Sequence, residues 1–341
     1  MDNNVVTKYF SYQRTEEEAR VLTEKIAKKI NFVIKDKIFA GKIYDQDKIG
    51  SYIVKGIFDD KPAVLKTQLL ELSIDEVEIM NKFNEQNLSK IIRLPKIYLH
   101  KIFDQKIGYG YIVSEHIDYP PIYQNVFATE TEKNDFLFFY EEYRNHCLNK
   151  SFISEQEYKD NPADFFKERI EKWASIAIAK KDLADLALEI KNDFIKIIDS
   201  GVDFVKFDFQ HGHLTQLDIY RGKNEYVLLS NLFWAYKPDR YDTTFHLWGG
   251  VKSNIDLSIT SKEVIDYIED WRHSYHSISA IKKDEMFDKN FALLLMERCV
   301  GAAIVDYSRN ESNAQRVDFM RKIFYDVFGY YQKKYLSNFS Q

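Results

Sequence analysis

Over residues 14–31 apolar side chains fall at Val21, Leu22, Ile26 and Ile30. That 3–4 spacing predicts an amphipathic helix, with Thr15 as a cap before an acidic first turn. The pattern then changes to short β-branched or aromatic runs at Phe32–Ile34, Lys37–Phe39, Ser51–Val54 and Ala63–Leu65. Asp45-Gln46-Asp47, Gly50 and Asp59-Asp60-Lys61-Pro62 separate them as turn chemistry. A helix is expected over Ser73–Gln86, and two further strands over Ile97–Phe103 and Gly110–Glu115. The first 118 residues therefore read as a small antiparallel sheet with one inserted helix. Asp118-Tyr119-Pro120-Pro121 ends it, because adjacent prolines interrupt regular structure. Beyond Thr131 helical spacing dominates, over Asn134–Cys147, Pro162–Ala179, Lys181–Ile198, Ser261–Tyr275, Asn290–Tyr307 and Asn313–Tyr335. One non-helical island, residues 201–238, breaks the series.

Composition narrows the class. The 341 residues include 45% hydrophobic and 15% aromatic side chains, enough to bury a large core, so a disordered chain is excluded. Only 12 Gly and 6 Pro occur, against roughly 24 and 17 at average usage, which disfavours turn-rich all-β folds. With 48 Lys+Arg and 53 Asp+Glu the net charge is −5, which gives no reason to expect nucleic acid or a membrane surface as partner. Cys147 and Cys299 are too few for a disulfide framework and read as buried thiols, with a single disulfide as the alternative. The first residues show no secretory pattern, and no apolar run is long enough to span a bilayer. The expectation is a soluble, cytoplasmic chain of about two lobes.

The island holds the chemistry. Phe204-Val205-Lys206-Phe207-Asp208-Phe209 leads into Gln210-His211-Gly212-His213-Leu214-Thr215-Gln216-Leu217-Asp218-Ile219. A turn at Arg221–Asn224 and the run Tyr226–Ala235 follow, ahead of Asp239-Arg240-Tyr241-Asp242. His, Asp and Asn mounted on loops between strands suit metal and phosphate chemistry. This arrangement resembles the aminoglycoside phosphotransferase and choline kinase-like family, whose loop has the form H-G-D-L-x-x-x-N-I. His211-Gly212, Leu214 and Ile219 match it, and Asp239–Asp242 is similar to the D-P-x-Y-D segment that follows. Ala63-Val64-Leu65-Lys66 is similar to the strand bearing the nucleotide lysine, Glu76 begins a stretch like the helix glutamate's, and Gly110–Ile117 resembles the hinge strand.

The resemblance implies an α+β, two-lobed protein-kinase-like fold, with an N-terminal lobe over 1–118, a mainly helical lobe over 119–341 and a catalytic-type loop over 208–242. It implies ATP or another nucleotide with Mg²⁺ as cofactors and a small hydroxylated molecule as acceptor. Lys66, Glu76, Glu115 and Ile117 would contact nucleotide, with Glu78 as substitute for Glu76. Asp218 and Asn231 would hold metal, and His213 with Asp218 would face the reaction. The sequence departs from the family pattern where His213 replaces the loop Asp, Asp218 replaces the Asn, and Asn231 (or Ser230, one register away) replaces the strand-end Asp. Gly50 and Gly56 flank Ser51–Lys55 without a G-x-G-x-x-G loop. Phosphoryl transfer depends on positioning and on neutralising phosphate charge, and Mg²⁺ favours carboxylate oxygens. A histidine titrating near neutrality is able to act as a base. Two readings stay open: a divergent phosphotransferase with exchanged ligands, or an inactive pseudokinase retained as a binding or regulatory module.

Other readings compete at single residues. His211 reads as a structural loop residue, and Asp218 alternatively as a turn cap. His211-x-His213 with Asp208 or Asp218, and His246 as a third ligand, is the pattern of a Zn²⁺ or Fe²⁺ site. Phe319, Phe324, Tyr325, Phe328, Tyr330 and Tyr331 read as core packing, with a cation-binding aromatic face as the alternative.

Overall fold

The computed structural model of the chain describes residues 14–42, 48–71, 75–125, 127–148, 161–179, 185–254, 257–306 and 314–336. In chain order its elements are α1 (Glu16–Lys29), β1 (Val33–Lys42), β2 (Ile49–Phe58), β3 (Lys61–Gln68), α2 (Glu76–Gln86), β4 (Ile92–Arg93), β5 (Ile97–Asp104) and β6 (Tyr109–Glu115). There follow α3 (Glu130–His146), α4 (Pro162–Ala179), α5 (Asp185–Asp199), β7 (Phe207–Gln210), β8 (Ile219–Arg221), β9 (Tyr226–Leu228) and β10 (Ala235–Pro238). The chain ends in α6 (Tyr241–Asn254), α7 (Ser261–Tyr275), α8 (Ser279–Lys282), α9 (Phe287–Gly301) and α10 (Ala314–Tyr331). Two compact units result, one of residues 1–119 and 222–232 and one of 120–221 and 233–341. Among the described residues no helix is long and apolar enough to cross a membrane.

The first unit is built on a five-stranded antiparallel sheet in the order β1-β2-β3-β6-β5. Thr15 starts α1 with a reciprocal capping box to Glu18. The apolar stripe of α1 then packs on one sheet face, joining Ala19, Ile26 and Ala27 to Tyr52, Val54, Ala63, Leu65 and Val113. Thr23 and Thr67 share a hydroxyl hydrogen bond of 2.8 Å within that layer. Because side chains alternate along a strand, Leu65 faces α1 while Lys66 points to the other face. Asp59 and Asp60, with φ of 48° and 59°, close the β2–β3 hairpin, and Lys61 and Pro62 already belong to β3. The proline is tolerated there because it stands at the strand's beginning.

Several expectations change. Gly50, expected in a turn, lies within β2, and the strand expected over Ser51–Val54 forms as part of the longer run Ile49–Phe58. The alternating burial of Tyr52, Val54 and Gly56 is what places it in the sheet. Gly56 is required by packing: a Cβ there would stand 2.0 Å from the carbonyl oxygen of Val33. Residues 222–232, expected in the helical lobe, group with the first unit. Tyr226 and Val227 pair in parallel with Ile92 and Arg93, and Glu225 binds Arg93. Helix α2 begins at Glu76 with Asp75 as its cap, accepting from the Val77 amide at 2.9 Å. The expected turn at Asp45–Asp47, residue Ser73 and positions 181–184 lie outside the described residues.

The second unit is mainly helical. Capping boxes Thr129–Glu132 and Thr260–Glu263 start α3 and α7. Helix α9 is buried almost all round, the arrangement of a central helix. Phe136, Tyr123, His246, Trp271 and Tyr275 form an aromatic cluster between α3, α6 and α7. Phe324, Phe328 and Tyr331 of α10 are buried, as core packing requires, and both cysteines are buried free thiols. Helix α6 is an element that the periodicity did not indicate. Within this frame β7 and β10 pair antiparallel, Gln210 opposite Ala235 and Phe207 opposite Pro238, and carry the loop that starts at His211.

Two glycines give opposite expectations. Gly56→Ala should lower unfolding free energy by at least about 2 kcal/mol, because backbone must yield. Gly329→Ala, in a helix with no atom within 4 Å of the added Cβ, should raise it by roughly 0.5–1 kcal/mol. Denaturant titration of both variants is the check.

Candidate functional site

In the first unit the predicted pair forms. Lys66 Nζ donates to Glu76 Oε2, with side-chain exposures of only 18% and 9%. Glu78 instead pairs with Lys82 at 2.8 Å, one turn along α2. A lysine held by one carboxylate on a half-buried sheet face retains donors for an anionic ligand. Glu115 is committed elsewhere: its carboxylate binds the Arg93 guanidinium bidentately at 2.7 and 3.0 Å and accepts from the Lys96 amide. Arg93 also grips Glu225, and Tyr119 donates to the same carboxylate at 3.0 Å. The Glu115 side chain thus ties β6 to β4, and Ile117 beyond it is half-buried. Asn231 is buried and donates its amide to the Leu228 carbonyl at 3.0 Å, after Ser230 at a φ of 58°.

In the second unit the loop after β7 is strapped to a buried carboxylate. Asp242, in the first turn of α6, accepts from the Tyr143 hydroxyl at 2.8 Å and from the Gly212 amide at 3.0 Å. The Tyr143 oxygen in turn accepts from the His211 amide at 2.8 Å, and the Gln210 side chain accepts from the Asp242 amide. Gly212 has a φ of +71°, and a Cβ there would stand 2.8 Å from the Phe233 carbonyl oxygen. Only glycine fits both constraints. Burial pushes the Asp242 carboxyl up to about 6, against the pull of its Tyr143 and Gly212 bonds. Tyr143 is raised well above the usual phenol range, first by burial and then by Asp242. Tyr143 carried no signal in the sequence, because nothing local marks a tyrosine of α3 as a partner for a loop some 70 residues away.

The loop then presents His213. Its Nδ1 lies 3.2 Å from Asp218 Oδ2, and the ring stacks on Phe233 with Phe245 beside it, at 4.3 and 4.8 Å between centroids. Asp218 is buried, and its Oδ2 also accepts from the Thr215 amide at 2.9 Å and hydroxyl at 2.6 Å, closing a capping box over the 3₁₀ turn Gln216–Asp218. If Nδ1 carries the proton that bonds Asp218, Nε2 is the basic nitrogen. The Zn²⁺ or Fe²⁺ arrangement does not assemble. His246 is fully buried, stacked on Phe136 at 3.9 Å and bonded to Tyr275 at 3.0 Å, while Asp208 pairs with Arg144. Among the described residues no group of three or more His, Cys, Asp or Glu is placed to hold a metal. The Asp218 Oδ2 thus serves three local donors, and the Asn231 side chain is a neutral amide.

The Asp242 strap has a pH signature. A carboxyl raised from about 4 in the unfolded chain to about 6 when folded favours the folded state fully below pH 4, and that contribution is lost as pH rises through 6. The stability advantage of wild type over Asp242→Asn should therefore shrink by about 2 kcal/mol between pH 4 and pH 7. Equal gaps at both pH values, in urea titrations, would contradict the burial of an ionisable Asp242.

No family model matches the chain, and no curated protein matches it significantly in sequence. Solved structures do match. Aminoglycoside phosphotransferase APH(4)-Ia superposes with a TM-score of 0.60 at 8% identity, over 91% of this chain and 98% of that one. Amicoumacin kinase hAmiN, solved with AMP-PNP, Ca²⁺ and Ami, gives a TM-score of 0.56 at 12% identity, over 100% and 98%. Spectinomycin phosphotransferase APH(9)-Ia, solved with ADP and spectinomycin, gives 0.54 at 14% identity, over 92% and 98%. An antiparallel β-sheet unit and a helical unit in this order give the chain the kinase-like fold of the aminoglycoside phosphotransferases.

Proposed function

We propose that this protein is a divergent, nucleotide-dependent phosphotransferase acting on a small hydroxylated acceptor. In this reading Lys66, oriented by Glu76, binds nucleotide phosphate oxygens. His213 takes the acceptor's hydroxyl proton at Nε2, and Asp218 stabilises the imidazolium that forms. The Asp218–His213 hydrogen bond carries the reading. It supplies an oriented base at the loop position where the resembled family has an aspartate, so replacing Asp by His exchanges one base for another. Asp218 acts here as an orienting residue and not as a metal ligand, because its Oδ2 is already engaged by His213 and Thr215.

One observation favours the second reading, an inactive module that keeps nucleotide or ligand binding. Neither Asp218 nor Asn231 offers a free carboxylate to a nucleotide-borne cation. The two readings share the Lys66–Glu76 pair and differ in turnover.

Thermal unfolding with ATP, with and without Mg²⁺ or Mn²⁺, tests both. ATP should raise Tm in wild type and not in Lys66→Met, and a wild-type Tm unmoved by any nucleotide would overturn both readings. Phosphate transfer to hydroxylated acceptors that falls by about 100-fold or more in His213→Gln, with the ATP shift intact, supports the enzyme. An ATP shift without turnover supports the module.

A further inference from the structure

Beside the His213 loop the second unit gathers three cations, two of which share one carboxylate among the described residues. Arg169 Nε lies 2.8 Å from Glu297 Oε1, and Arg298 Nε donates to Glu297 Oε2 at 2.6 Å. Glu297 is fully buried, so one carboxylate serves two guanidinium groups. Lys237, on β10, brings a third cation. Its ammonium stands over the Tyr241 ring at 5.6 Å and has no hydrogen-bond or ion-pair partner among the described residues. Asp242 is the other nearby carboxylate, and it is committed to Tyr143 and Gly212. Burial, and then the charges of Arg169 and Arg298, hold the Lys237 ammonium down to about 7. A group in that situation gains strongly from an added negative charge.

The cluster is continuous with the loop. A Cβ on Gly212 would meet the Lys237 Cε at 3.2 Å, so the lysine stem crosses the loop one residue before His213. Phe245 lies beside the His213 ring and also under Arg298, at 5.4 Å. The Tyr241 hydroxyl accepts from Arg169 at 3.1 Å, and its ring faces all three cations at 5.0–5.6 Å. Trp173 packs against both guanidinium groups at 5.1 and 5.3 Å. The cluster is not sealed: Arg169 keeps 22% of its side-chain exposure, and Lys237, Trp173 and Phe245 are half-buried. Aromatic faces lower the cost of crowding the cations but supply no counter-charge.

We infer that Lys237, Arg169 and Arg298 form an oxyanion-binding subsite beside His213, so that the acceptor carries a phosphate or carboxylate group as well as its hydroxyl. This deepens the function proposed above and rests on it for the word acceptor; the anion site stands on its own geometry. The guanidinium forks and the ammonium supply charge-assisted donors to the anion, and Tyr241 and Phe245 flank its carbon skeleton. A neutral or cationic polyol would leave Lys237 uncompensated.

Binding of glucose 6-phosphate, gluconate and glucose to the full chain separates the possibilities. Thermal shift and calorimetry should show binding of one or both anions, and glucose should bind at least 10-fold more weakly. The stronger of the two anions distinguishes phosphate from carboxylate. Lys237→Met should weaken anion binding at least 10-fold, and Lys237→Arg should restore most of it. Equal binding of glucose and both anions, no binding of either anion at 10 mM, or unchanged anion affinity in Lys237→Met would each overturn the subsite. Lys66→Met should lose the ATP shift while keeping the anion response, and a wild type that binds the anion but shows no ATP shift counts against the proposed phosphotransferase and not against the anion site.

Discussion

The buried carboxylate of Asp242 is the constraint on which the second unit's chemistry depends. An ionised carboxylate at zero exposure is costly unless donors surround it. Here the donors are the Tyr143 hydroxyl and the Gly212 amide, and the first turn of α6 adds the favourable end of a helix dipole. Each donor belongs to a different element, so satisfying one charge fixes α3, α6 and the loop after β7 together. His211 and Gly212 are held through backbone atoms, which leaves the next side chain, His213, turned toward Asp218.

Charge is managed differently in the two units. In the first, every cation of the site region has a designated partner: Lys66 has Glu76, and Arg93 has Glu115 and Glu225. Such pairs are half-buried, hydrogen-bonded and geometrically specific, and their main effect is to aim a side chain. In the second unit two arginines share Glu297, and Lys237 rests on an aromatic face. Unbalanced, partly buried charge costs stability and gains only when a ligand arrives. Such a cost is commonly met at functional sites.

Much of the fold was legible because it is written in local periodicity. The stripe Val21, Leu22, Ile26, Ile30 and the cap at Thr15 predicted α1, and α7 has the bounds that the spacing predicted, Ser261–Tyr275. Helix α6 was hidden, since Thr243, Thr244, Gly249 and Gly250 are weak helix formers and its burial on several faces erases the amphipathic stripe. The glycines at 50 and 56 read as loop chemistry, but Gly56 answers a close backbone approach within the sheet. Residues 222–232 follow the helical lobe in sequence and join the first unit through pairing with Ile92 and Arg93, a contact that no local pattern encodes.

The sequence by itself determined which residue types stand at the nucleotide lysine, the helix glutamate and the loop histidine, because their order and spacing are properties of the chain. Only the tertiary structure decided their roles. Asp218 became a partner of His213 and Thr215 because the 3₁₀ turn folds its carboxylate back on the loop. Glu115 became a strut because Arg93 lies across the strand pair, and Arg169, Lys237 and Arg298, widely separated in sequence, became one cationic surface. Electrostatic energy depends on distance in space, and distances between remote residues are set by packing, which no window of the sequence contains.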